Sequence, residues 1–167
     1  LISGKDSMKN ESNIGGKKIP VRPTLLISQM GIIEDAAKAV STDFKEPGDL
    51  IYVLGETRAE LGGSFMEKIL SAGRGDGFNL GPCPSVKTGE ALELYRRLHT
   101  CIAEGLIRSC HDISDGGLAA AASESVLGGR LGAEMYLDGL PAELSSSNPE
   151  IPRLLFSETP SRFVISI

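Results

Sequence analysis

His111-Asp112-Ile113-Ser114-Asp115-Gly116-Gly117-Leu118 is the stretch on which the reading of this chain turns. It follows the largely apolar run Gly105-Leu106-Ile107-Arg108-Ser109-Cys110 and precedes a helical pattern from Leu118 to Leu127. Ser114 and Asp115 are good N-cap residues, and Gly128-Gly129 is expected to close the helix at its far end. The stretch is therefore predicted to form a strand-to-helix turn with two glycines where the helix begins. Free backbone N–H groups and the positive end of the helix dipole would meet at Gly116 and Gly117, with no side chain in the way of an anion. Asp112 and Asp115 flank that spot and could hold Mg²⁺ against a bound phosphate. The plainer reading is a cap and a tight turn, with Asp115 bonding the first-turn amides.

At 167 residues the chain holds one ordinary domain, or one domain and part of another. A hydrophobic content of 41% suffices for a core, and 20 glycines imply many tight turns. The net charge of −5 leaves no electrostatic footprint for nucleic acid. No apolar run approaches the ~18–20 residues of a membrane span, and no signal-peptide pattern is present. Cys83, Cys101 and Cys110 form neither a CxxC pair nor an even framework, and read as reduced thiols of a cytosolic protein. A Cys110–His111 dyad is disfavoured because neighbours on a strand point to opposite faces.

Residues 11–22, with Gly15-Gly16, read as a solvated hairpin loop, and Pro23 to Ile33 as a long buried strand. Asp35 to Val40 reads as a short helical connection. Phe44-Lys45-Glu46-Pro47-Gly48-Asp49 is a turn feeding the strand Leu50 to Leu54, and the domain boundary is placed near residue 44, dividing the chain into 1–43 and 44–167. Gly62-Gly63-Ser64 opens a helix to about Leu70, and residues 73–87 form a Gly/Pro-rich connection of mobile character. Thr88 is expected to cap a helix whose inner face carries Ala91, Leu94, Tyr95, Leu98 and Ile102. Leu131 to Leu137 alternates like a strand with one wet face. Leu1-Ile2 and Phe163 to Ile167 read as interrupted apolar strands, so a piece of a longer chain is expected, with the last strand as an exposed edge. Gly4-Lys5 is no Walker motif, because Asp6 stands where Ser or Thr is required.

The His111–Leu118 stretch resembles the signature of the C-terminal-type domain in the aminoimidazole ribonucleotide synthetase superfamily, and most nearly that of the phosphoribosylformylglycinamidine synthases. Ser3-Gly4-Lys5-Asp6-Ser7-Met8-Lys9-Asn10 resembles the segment that ends the second ATP-binding-type domain of their long form. Shorter forms carry Gly-Gly-Asn-Val-Ser-Leu-Tyr-Asn there. The resemblance places a nucleotide contact at Gly4 and a substrate contact at Ser7, with Asp6 in the same loop. Lys5 replaces a magnesium-holding asparagine and suggests direct neutralisation of phosphate instead. Pro47-Gly48-Asp49 before an apolar strand and Glu60-Leu61-Gly62-Gly63-Ser64 are similar to further elements of the family. Ser157-Glu158-Thr159-Pro160-Ser161-Arg162 stands where these enzymes have Ser-Glu-Ser-Gln-X-Arg, whose Glu-Ser-Gln binds substrate in the catalytic half. Pro160 cannot offer the amide donor of glutamine, so this half is similar to the non-catalytic pseudo-repeat.

The resemblance implies an α+β fold, a mixed sheet with helices packed on it in three layers, partly ferredoxin-like, with residues 1–43 as the tail of a preceding ATP-binding-type domain. The succession of strands and helices over residues 49–137 points independently to an α+β class. The implied activity is that of a purine-biosynthesis ligase using ATP and Mg²⁺. Formylglycinamide ribonucleotide is activated as an iminophosphate, and ammonia from a glutaminase domain or subunit displaces phosphate to give formylglycinamidine ribonucleotide. The family's catalytic histidine belongs to the first-type domain and is neither His99 nor His111, so the 167 residues alone are expected to be inactive. Thiamine-phosphate kinase and selenophosphate synthetase share a related turn but lack the Ser3–Asn10 segment. A structural or interaction domain with a vestigial nucleotide site is the alternative of a different class.

Overall fold

The computed structural model describes residues 4, 10–21, 25–74, 78–140, 142–143 and 151–167. The chain divides into two compact units, Leu1–Glu34 and Asp35–Ile167, the second beginning ahead of the residue 44 boundary expected from the sequence.

The first unit contains a hairpin of β1 (Glu11–Ile14) and β2 (Lys17–Pro20), paired antiparallel. Its two-residue turn is Gly15-Gly16, with φ of 60° and 79°, a left-handed pair that suits the twist of the flanking strands. Residues 25–33 do not form the long buried strand anticipated. They take no regular structure, and Leu26, Met30 and Ile32 are at least 90% exposed. A strand is held by hydrogen bonds to a neighbour, and none of the described strands lies beside this run.

The second unit is α+β. Its sheet has the order β3 (Ile51–Leu54), β7 (Phe163–Ser166), β5 (Ser109–Asp112), with both pairings antiparallel. A separate parallel ladder joins β4 (Thr57–Arg58) to β6 (Ala142–Glu143). The helices are α1 (Phe65–Ser71), α2 (Thr88–Ala103), α3 (Gly117–Gly129) and α4 (Ile151–Phe156). Alternation along the strands sends neighbouring side chains to opposite faces. Val164 therefore joins Leu118 and Ala121 of α3 with Phe44 and Ile113, while Ile165 joins Leu98 of α2 with Ile107. The result is three layers, α2 on one face of the sheet and α3 on the other. Burying side chains such as Leu118 and Val164, each 1% exposed, contributes about 1.5–3 kcal/mol apiece.

The last strand is the centre of the sheet, not an edge. Leu50 and Ile167 exchange N–H···O bonds on one side of β7, and Arg108 N–H donates to Ser166 O on the other. Ser109 and Ser166, both buried and in register, share a hydroxyl hydrogen bond of 2.7 Å. Residues 131–136 are not a strand; they run irregularly into a 3-10 turn at Leu137–Gly139. Gly128 and Gly129 lie inside α3, and the left-handed residue that ends it is Arg130, φ 54°. Gly129 is needed for a different reason: a Cβ there would stand 2.2 Å from Phe44 O. Thr88 is the first residue of α2 and does not cap it; the N-cap, Lys87, makes no side-chain capping bond. Nor are residues 78–87 loose, since Pro82 O accepts from Gly62 N–H at 2.9 Å and Leu80 N–H donates to Glu67 at 2.6 Å.

Candidate functional site

Strand β5 ends on Asp112, Ile113 is buried as an anchor, and α3 starts at Gly117, so the strand-to-helix turn forms where the sequence places it. Its capping differs. The N-cap is Gly116 in the left-handed conformation (φ 80°, ψ 0°), with no capping bond from Ser114 or Asp115. Gly117 also has positive φ, 67°, and a Cβ on it would come within 2.6 Å of Leu155 O and 2.7 Å of Ser157 O. Only glycine fits such a backbone approach.

The amides expected to be free for phosphate are engaged. Gly117 N–H donates to Ser114 O at 3.0 Å. Gly116 N–H donates to Glu158 Oε1 at 2.8 Å, and the same oxygen accepts Phe65 N–H, the first amide of α1, also at 2.8 Å. One carboxylate thus satisfies both glycine-eased helix starts, a favourable place for negative charge. Ser64 completes the start of α1 by accepting Glu67 N–H at 3.2 Å.

Around this junction lies an open cleft of about 340 Å³ in which Asp112, Asp115 and Glu158 face Tyr95 and Ser161. The Tyr95 hydroxyl and Ser161 Oγ are 2.7 Å apart, and the tyrosine ring stands edge-on to Phe163 with centroids 5.8 Å apart. Ser161 has φ 62°, a left-handed conformation that serine seldom adopts. Asp112 is well exposed, its side chain 66% accessible. Among the described residues no group of three or more His, Cys, Asp or Glu gathers to hold a metal. The donors on this cleft are hard carboxylate oxygens, which suits Mg²⁺ bound through one or two carboxylates and shared with a ligand's phosphates, not an all-protein cage.

Behind the cleft is a buried polar network. Arg162, 1% exposed, donates from Nε to Thr159 O and from Nη1 to Thr57 Oγ1, each at 2.9 Å, and from Nη2 to Ser157 O. Burial, with the nearby Arg58 charge adding to it and Glu60 opposing, brings Arg162 down to about 10. Glu60 Oε2 pairs with Arg58 at 3.1 Å, and Oε1 accepts from Ser85 Oγ at 2.9 Å. Burial alone would raise the Glu60 carboxyl, but the Arg58 guanidinium and the Ser85 hydroxyl outweigh it and hold the group below its ordinary range.

Cys110 and His111 do part to opposite faces. Cys110 packs on the α2 side, where burial, with Asp112 adding, pushes its thiol up. His111 Nε2 lies 2.7 Å from Glu124 Oε2 on α3. Gly4 is exposed, and Lys5, Asp6 and Ser7 lie outside the described residues. The structure thus gathers Asp112, Asp115 and Gly116 at one place and adds Glu158, Tyr95 and Ser161. Glu158 was visible beforehand only as part of a substrate-binding triplet. Tyr95 read as a core position of α2, and nothing local marks Ser161 as left-handed.

The family described as AIR synthase related protein, C-terminal domain, matches residues 46–167. Among solved structures, Thermotoga maritima PurL complexed with FGAR is 25% identical, with a TM-score of 0.64 over 78% of this chain and 21% of that one. Phosphoribosylformylglycinamidine synthase II from Thermotoga maritima is 25% identical, with a TM-score of 0.58 over 78% of this chain and 19% of that one. Thermotoga maritima PurL complexed with AMPPCP is 26% identical with a TM-score of 0.52, again over 78% and 19%. The chain spans about a fifth of the length of these structures.

Proposed function

The chain belongs to the AIR synthase related protein family by its C-terminal domain, and from that premise we propose that it serves an ATP-dependent carbon–nitrogen ligase of purine biosynthesis. The reaction proposed is the conversion of formylglycinamide ribonucleotide, ATP and glutamine-derived ammonia to formylglycinamidine ribonucleotide, with a glutaminase domain or subunit as partner. The observation that carries the reading is the cleft at a strand-to-helix turn whose lining includes Asp112, Asp115 and Glu158. Support comes from the similarity to PurL structures complexed with FGAR and AMPPCP.

In this reading Asp112 and Asp115 face a magnesium-bound phosphate, and Mg²⁺, when bound, neutralises charge that develops on the transferred phosphoryl group. Gly116 and Gly117 contribute by shape, letting α3 start close to the ligand, while their N–H groups stay with Glu158 and Ser114. Lys5 and Ser7, with Gly4 and Asp6, are assigned to the phosphate and substrate side. No helix among the described residues is long and apolar enough to cross a membrane, and a cytoplasmic setting is part of the proposal.

A second reading, a scaffold with a vestigial nucleotide site, is favoured by two observations: Glu158 already occupies the Gly116 amide, and Pro160 lacks a side-chain donor. Calorimetric titration of Mg²⁺ and ADP into the chain separates the two. Magnesium-dependent binding that is lost in Asp112→Asn and Asp115→Asn supports the ligase site. Absence of binding, or binding unchanged in both variants, overturns it.

A further inference from the structure

Among the described residues of the second unit Arg162 is the largest fully buried side chain, and among them it forms no ion pair with a carboxylate. A guanidinium held only by neutral acceptors carries a large desolvation cost, and an apolar residue of similar volume would pack at least as well. What arginine adds is geometry, because its planar fork fixes several acceptors at once. Here those acceptors are the carbonyls of Ser157 and Thr159, on either side of Glu158, and the Thr57 hydroxyl on β4. Its own carbonyl accepts Ile113 N–H at 2.9 Å, inside the strand-to-helix turn. A single residue therefore ties together the Glu158 loop, strand β4 and the Asp112–Asp115 turn.

We propose that Arg162 is a positioning residue of the cleft: by gripping the carbonyls of Ser157 and Thr159 it sets the Glu158 carboxylate between the first amides of α1 and α3. Glu158 Oε1 is then held to Phe65 and Gly116, while Oε2 makes no hydrogen bond among the described residues, and Glu158 lines the cleft with Asp112 and Asp115. Lysine at this position keeps the charge but has one nitrogen in place of three, and cannot hold both carbonyls and Thr57 together. Only the consequence for ligand affinity rests on the function proposed above; the placement of Glu158 does not.

The test is nuclear magnetic resonance on the ¹⁵N-labelled 167-residue chain without ligand. Glu158→Ala defines how the Gly116 and Phe65 amide signals move when the carboxylate bond is lost. Arg162→Lys is expected to move both signals in that same direction, Thr57→Val to move them less, and Thr57→Ser to restore them. A purely structural role would lower the melting temperature and leave both amides at their wild-type positions. That result, in a folded Arg162→Lys or Thr57→Val chain, overturns the proposal. If Arg162→Lys does not fold, the Thr57 pair decides, since Thr57→Ser separates loss of the hydroxyl from loss of the side chain. Titrating Mg²⁺ and ADP into the same proteins keeps the two ideas apart. Failure of the wild type to bind sinks the ligase reading alone, and unmoved amides sink the Arg162 proposal alone.

Discussion

Glu158 Oε1 accepts the Gly116 N–H at 2.8 Å across 42 residues of sequence, and with it the Phe65 N–H across 93. An internal carboxylate thus stands where an anion is most stable, at the start of α3. Glu158→Ala is expected to destabilise the fold by about 1–3 kcal/mol, the scale for stranding such donors, with water softening the loss at this partly open site. Glu158→Gln, whose amide oxygen still accepts, should cost less. Urea unfolding of the three proteins measures the order, and equal midpoints for wild type and Glu158→Ala contradict it.

Two glycines make opposite forecasts. A Cβ at Gly129 would meet Phe44 O at 2.2 Å, so Gly129→Ala should destabilise by about 1–3 kcal/mol, as overpacking does. Gly89, near the start of α2, has nothing within 4 Å of an added Cβ. Gly89→Ala should raise stability by up to about 0.5–1 kcal/mol. Thermal melts that moved in the same direction for both would count against the packing described.

The Glu60 carboxyl lies below its ordinary value of 4.5 in the folded chain. In the pH range just under 4.5 the unfolded chain therefore holds more protons than the folded one. Stability from this group is present above that range and is lost as pH falls through the folded value. Urea midpoints should drop on acidification below 4.5, and the drop should be shallower in Glu60→Gln, which also starts lower because Arg58 loses its partner. Parallel pH profiles for the two chains would remove Glu60 from the explanation.

Lys5 and Ser7 are proposed to neutralise phosphate and touch substrate. The double variant Lys5→Ala with Ser7→Ala should weaken binding of Mg²⁺ with ADP, or of formylglycinamide ribonucleotide, by about tenfold, equivalent to ~1.4 kcal/mol. Unchanged dissociation constants for both ligands would refute the assignment.

The chain by itself is expected to release no phosphate from ATP with formylglycinamide ribonucleotide, Mg²⁺ and ammonium. Neither of its two histidines lines the cleft: His99 is exposed on α2 and His111 is bonded to Glu124. Catalysis needs nucleophile, phosphate clamp and metal held in one geometry. Substrate-dependent turnover above a heat-killed control would show that these residues suffice.

What could be read from the sequence was what local stereochemistry decides. Gly15-Gly16 closes a hairpin because few other pairs accept positive φ at both positions, and Asp112 to Gly117 makes a strand-to-helix turn because Gly116 and Gly117 accept positive φ where an alanine-rich helix begins. The α+β class followed from the order of such elements. Strand status was another matter. Residues 25–33 and 131–137 have strand-like patterns but no partner among the described strands, whereas Phe163–Ser166, read as an unfinished edge, became the centre of the sheet. Pattern reports which side chains seek burial; pairing depends on which backbone arrives alongside. The site divides the same way. The sequence by itself placed Asp112, Asp115, Gly116 and Gly117 at the turn, since only neighbours along the chain are involved. Tertiary structure alone brought Glu158 to the Gly116 amide, Tyr95 to Ser161 and Arg162 beneath them, because those contacts join residues 42, 66 and 105 positions apart, distances at which local propensity carries no information.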